Sequence, residues 1–133
     1  MAGGSSGVLV EITGGPTVTV PWSASMNAQD ALERAYDQIN SSEKFTFALQ
    51  YYSKLGYMVV MINETYDTFV SSSKPFFYWE FLVNGKPSDI GIDGKQLKAG
   101  DKITFSYLTF DPDIHKSVLM RAKYEQQTKK VKP

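Results

Sequence analysis

One stretch of this chain repeats at helical period, and nearly every other patterned stretch alternates. Ala28, Ala31, Leu32, Ala35, Tyr36 and Ile39 fall at i, i+3, i+4, i+7, i+8 and i+11, the apolar stripe of an amphipathic helix. Asn27 stands where an N-cap belongs, and Asp30 follows where a carboxylate favours the helix dipole. Asn40-Ser41-Ser42 supplies the exit. A lone helix of about three turns, apolar on one side, has to lie across a sheet.

The strands of that sheet are legible on both sides of the helix. Val8, Val10 and Ile12 alternate with Leu9, Glu11 and Thr13, Gly14-Gly15-Pro16 interrupts, and Thr17 to Val20 resumes. Two such runs around a Gly-Gly turn predict a β-hairpin that ends at Pro21. Beyond the helix, Phe45, Phe47, Leu49 and Tyr51 alternate, and Tyr57 to Ile62 is nearly continuous apolar sequence ending at Asn63. A polar loop is expected from Glu64 to Lys74. Phe77 to Val83 forms another strand, closed by the turn signal Asn84-Gly85, and Lys102 to Tyr107 forms the last. The order predicts an α+β, β-grasp-like fold: one mixed sheet with one main helix packed across it.

The chain has 133 residues, which suits one domain with short extensions. Three segments are expected: residues 1–7 as a flexible Gly/Ser leader or a scar of an expression vector, 8–110 as the folded domain, and 111–133 as a basic, helix-permissive tail. With 14 basic and 14 acidic residues the net charge is zero, which argues against nucleic acid as a partner. The absence of cysteine excludes disulfides, zinc–thiolate and iron–sulfur sites and thiol catalysis, and one histidine excludes any site needing two imidazoles. No stretch has the roughly 18 apolar residues of a membrane span.

Catalytic equipment is sparse. His115 lies in the tail near Asp111, Asp113 and Ser117, in a segment with little packing signal, and reads as an exposed histidine. Asp89 and Asp93 share a loop that lacks the ligand spacing and distal Glu of a calcium site, and both read as turn residues. Gly14-Gly15 lacks the Lys-Ser/Thr of a phosphate loop. No enzymatic activity is expected. The aromatics carry more information: they crowd into Phe45 to Tyr57 and Phe76 to Phe81. In the second cluster Phe77, Trp79, Phe81 and Val83 lie on one side, and Tyr78, Glu80 and Leu82 on the other. One face meets the helix, and the other is either covered or left as an apolar platform for a ligand or partner.

Tyr78-Trp79-Glu80-Phe81-Leu82, Asn84-Gly85, Gly91-Ile92 and Leu97-Lys98-Ala99-Gly100-Asp101-Lys102-Ile103, in that order and spacing, resemble the C-terminal domain of transcobalamin and intrinsic factor. Val18 to Trp22, the Ala31-Leu32 helix, Phe45-Thr46-Phe47 and Gly56-Tyr57 to Ile62-Asn63 extend the likeness over about residues 8 to 108. The resemblance implies a non-enzymatic module that contacts cobalamin or another corrinoid, held as ligand. Tyr78, Trp79, Glu80 and Phe81 fall on the family's ligand-contacting stretch, with Ile62 and Asn63 on a second ligand-side segment. Glu80 stands where the carriers have Gln, and an ionised carboxylate accepts from corrin amides but cannot donate. The carriers also close over cobalamin with a helical barrel that this chain lacks, so a separate partner protein is expected to complete the site. A secreted, periplasmic or cell-surface location is implied in the same way. The alternative is a protein–protein interaction or surface-display module that keeps the fold without the ligand; metal or carbohydrate binding comes third.

Overall fold

A computed structural model describes residues 7–68 and 76–110. The leader before Gly7, the tail with His115 and most of the Glu64–Lys74 loop lie outside the described residues. The elements follow in the order β1 (Gly7–Ile12), β2 (Thr17–Pro21), α1 (Ala28–Ile39), β3 (Phe47–Tyr51), β4 (Tyr57–Ile62), β5 (Thr65–Tyr66), β6 (Phe76–Val83), β7 (Lys86–Pro87) and β8 (Lys102–Phe110).

The α+β class expected from the periodicities is the class observed. A five-stranded mixed sheet runs β2-β1-β8-β6-β7. Its centre is a parallel pair, β1 with β8, in which Val10 faces Ile103 and Ile12 faces Phe105. The other pairs are antiparallel, and β1 and β2 form the expected hairpin, with Val8 opposite Val20. Gly14 takes the left-handed conformation that the turn requires (φ 81°).

Two expectations are corrected. The strands do not form one sheet: β3, β4 and β5 make a separate antiparallel sheet of three. Nor is the segment after Asn63 wholly a loop, because Thr65–Tyr66 pairs back onto Met61–Ile62. Asn63 (φ 51°) and Glu64 (φ 66°) both adopt left-handed geometry, giving a two-residue turn of the primed kind without the customary Asn-Gly.

The helix is built as its sequence implies. Asn27 Oδ1 accepts from the Asp30 N–H (2.8 Å) and Asp30 Oδ2 accepts from the Asn27 N–H (3.0 Å), a reciprocal cap. Ala28, Ala31, Leu32 and Ala35 are fully buried. Three of these are alanines, so the helix axis can come close to β1 and β2. Together with Val8, Val10, Val20, Ile103, Phe105, Trp79 and Phe81 they make one core.

The segment from Ser88 to Leu97 joins the layers. Its carbonyls take helix N-terminal donors (Ala28 N to Lys95 O, 2.9 Å; Gln29 N to Ile92 O, 3.1 Å), while Gly91 N donates to Leu55 O (2.8 Å). Asp93 lies in a turn, as expected, but its carboxylate also reaches across to accept from Tyr57 N (2.8 Å) at the start of β4.

Candidate functional site

β6 and β8 place their aromatic side chains in a ladder that runs from the core to the surface. Phe81 lies opposite Phe105 and Trp79 opposite Tyr107. Phe81 and Phe105 are buried and stacked, with centroids 5.3 Å apart and ring planes at 12°. One step outward, Trp79 tilts against Tyr107 at 5.0 Å. Further out, Phe77 stacks on Tyr107 at 5.5 Å and 12°, with 37% of Phe77 exposed.

The small sheet clasps this ladder through side-chain donors. Trp79 Nε1 donates to Thr65 O (2.9 Å), and the Tyr107 hydroxyl donates to Tyr66 O (2.6 Å). The β4–β5 hairpin is thereby tied to the aromatic strands, and the residues just after Ile62-Asn63 meet Trp79 of the 78–81 segment. Asn63 is itself engaged: its Oδ1 accepts from Thr46 N (2.8 Å), and its Nδ2 donates to Lys44 O (3.1 Å).

Of the residues expected at a site, Ile62, Tyr78, Trp79, Glu80 and Phe81 are buried, and Asn63 is exposed. Alternation along β6 explains the burial of Trp79 and Phe81, which point at the helix side. The cavity they line with Tyr57, Met58, Val59, Gly91 and Ile92 is only about 10 Å³, room for one water at most. Between Trp79 and Phe81 there is thus no room for a ligand of any size, and the open part of the ladder is its outer end. Phe77, Tyr107 and Tyr66 supply the accessible aromatic surface there, and Tyr66 is 55% exposed. Tyr107 was reachable from sequence, because β8 alternation pairs it with Trp79. Tyr66 was hidden by the reading of its segment as a loop.

On the opposite face of β6 the Tyr78 hydroxyl donates to Glu80 Oε1. Burial, then that hydrogen bond, then the charge of Glu80 push the Tyr78 hydroxyl well above the ordinary tyrosine range. The phenol stays a donor at physiological pH, so one oxygen of Glu80 is committed to it. Burial and then Asp67 raise the Tyr107 pKa as well. Both indoles have their N–H groups engaged, Trp22 Nε1 on Leu97 O at 2.9 Å. Among the described residues no group of three or more His, Asp or Glu side chains could hold a metal ion, and no helix is long and apolar enough to cross a membrane.

Residues 26–109, more than half of the chain, match the family model described as Domain of unknown function (DUF4430). The chain belongs to this family. The family segment runs from α1 into β8 and so contains the ladder and its clasp. No curated protein matches the chain. Among solved structures, haptocorrin in complex with Cbi superposes with a TM-score of 0.61 at 17% identity, over 79% of this chain and 25% of that one. At that identity the likeness speaks to the fold, and this chain spans about a quarter of haptocorrin's length. A candidate metal binding protein from Ruminococcus gnavus aligns over 79% of this chain and 96% of its own, with a TM-score of 0.49 and 12% identity.

Proposed function

We propose that this chain is a non-enzymatic ligand-binding module that takes cobalamin or another corrinoid on the outer end of the aromatic ladder. The observation that carries the reading is the clasp at Thr65 and Tyr66, which sets the β4–β5 hairpin beside Trp79 and Tyr107. The fold likeness to haptocorrin, solved with Cbi, supports it. A corrin is broad and apolar with amide arms, so stacked rings flanked by turn backbone suit it. In this reading Phe77, Tyr107 and Tyr66 touch the ligand, Trp79 and Phe81 back them from below, and Asn63 holds the rim. The residues 8–110 act as one domain, and a second protein body covers the far corrin face. A secreted or cell-envelope location fits such a role.

With a single face buried, the entropy of association is offset only weakly, and affinity is expected to be low. The test is titration of cobalamin and of cobinamide, followed by calorimetry and by the visible corrin spectrum. Binding should weaken in Phe77→Ala and Tyr66→Ala, both at exposed positions, with unchanged circular dichroism. Absence of heat and of spectral change at near-millimolar protein would sink the reading. Trp79→Ala is unsuited to this test, because it would open the core.

A further inference from the structure

The edges of the two sheets are not treated alike. The β2 edge is covered from the helix: Gln38 Nε2 donates to Thr19 O (2.8 Å) and Arg34 Nη1 to Pro21 O (2.9 Å). The β7 and β5 edges are two residues long, and β7 contains Pro87. The remaining edge, β3, spans Phe47–Tyr51 and lies at the end of its sheet. Among the described residues, no main-chain group of 47–51 bonds to anything beyond the β4 ladder. The one irregularity is a register shift between Ala48 and Leu49, whose extra residue, Val60, lies on β4 and not on the edge strand. Natural sheets blunt such edges unless they are used.

Beside this edge lies a cleft of about 500 Å³ lined by Glu33, Tyr36 and Asp37 of α1 and by Thr46 and Phe47. Tyr36 stands edge-on to Phe47 at 6.0 Å and 80°, with 42% of its surface exposed. Among the described residues, the only charges on the cleft wall are the carboxylates. The sole basic residue of the helix, Arg34, is turned away toward Pro21 and Ser23. The last helical turn carries no basic residue, so the negative end of its dipole is unopposed.

We propose that the β3 edge takes up an extended, Lys- or Arg-bearing segment of a partner protein as an added strand. Main-chain bonds to residues 47–51 supply the pairing. Alternate basic side chains of the added strand turn into the cleft toward Glu33 and Asp37, their stems lying on the Tyr36 and Phe47 rings. β3 and β5 are opposite edges of the small sheet. The proposal therefore does not depend on the corrinoid reading.

The test uses the full chain and two labelled synthetic peptides, one alternating Lys with Val and one alternating Glu with Val. Fluorescence anisotropy should detect the basic peptide only, and hydrogen exchange at residues 47–51 should slow when it binds. The pair Glu33→Lys and Asp37→Lys should weaken binding about tenfold without changing the melting temperature. Equal binding of both peptides, no binding of either, or binding without protection of 47–51 would each overturn the proposal. So would a dimer by sedimentation with 47–51 protected before peptide is added, which would assign the edge to a second copy.

Discussion

Gly91 is where one added atom would be felt most. A Cβ at that position would sit 2.4 Å from Tyr57 O and 2.6 Å from Leu55 O, both main-chain atoms that cannot step aside. Gly91→Ala should cost about 2–4 kcal/mol, read as a drop in the urea midpoint. Asn27→Ala removes the helix cap and also the side-chain bond to Asp93 O (3.1 Å), and about 1–2 kcal/mol should be lost in the same assay. Tyr78 predicts a pH dependence. Its folded pKa is raised above 10.0, so above about pH 10 the unfolded chain releases a proton that the folded chain keeps. Stability is therefore full below pH 10 and declines as pH rises toward the folded value, by about 1.4 kcal/mol per pH unit for one tyrosine. Tyr107 shifts the same way and adds to the slope. Urea titrations at about pH 8 and about pH 11 should show a shallower decline in Tyr78→Phe; an unchanged slope would show that Tyr78 does not set it. At this scale the cap was legible, since Asn27 and Asp30 are neighbours in sequence. The Gly91 contact was not, because its partners Leu55 and Tyr57 are distant in the chain.

Among the elements, sequence reasoning missed the β4–β5 hairpin and the short β7, and the β4–β5 hairpin is the one that organises the candidate site. Its turn places Glu64 at φ 66°, where a side chain is strained and glycine is not. Glu64→Gly should therefore stabilise the chain by about 0.5 kcal/mol, measured by thermal or urea unfolding. The clasp predicts the opposite effect on the other side of the contact. Trp79→Phe keeps an aromatic ring but leaves Thr65 O without its donor, so stability should fall by about 1–2 kcal/mol. Amides of residues 61–66 should then exchange faster than those of β1. Phe77 to Val83 was correctly divided into two faces by period alone. Which face met the helix was not in the pattern, because both faces carry large apolar residues.

For the whole molecule, the decisive contact is the parallel pair of β1 and β8, drawn from the two ends of the domain. β8 is also the partner of β6 and so the centre of the large sheet. A chain shortened to end at Asp101 loses this central strand and should remain unfolded, with no dispersed amide spectrum. Such pairing of distant segments also makes folding slow for a domain of this length.

Local chemistry by itself determined the helix, its cap, most of the strands and the α+β class. Each of these depends on residues a few positions apart, where side-chain period and capping groups act directly. Tertiary structure alone decided that the strands divide into two sheets, that Trp79 is a wall of the core, and that Phe77, Tyr107 and Tyr66 meet at the outer end of the ladder. Those outcomes depend on which apolar faces find each other, and several pairings of these aromatic strands satisfy the same alternation. Packing selects among them through contacts such as Gly91 on Tyr57 and Trp79 on Thr65, which join residues far apart in the chain.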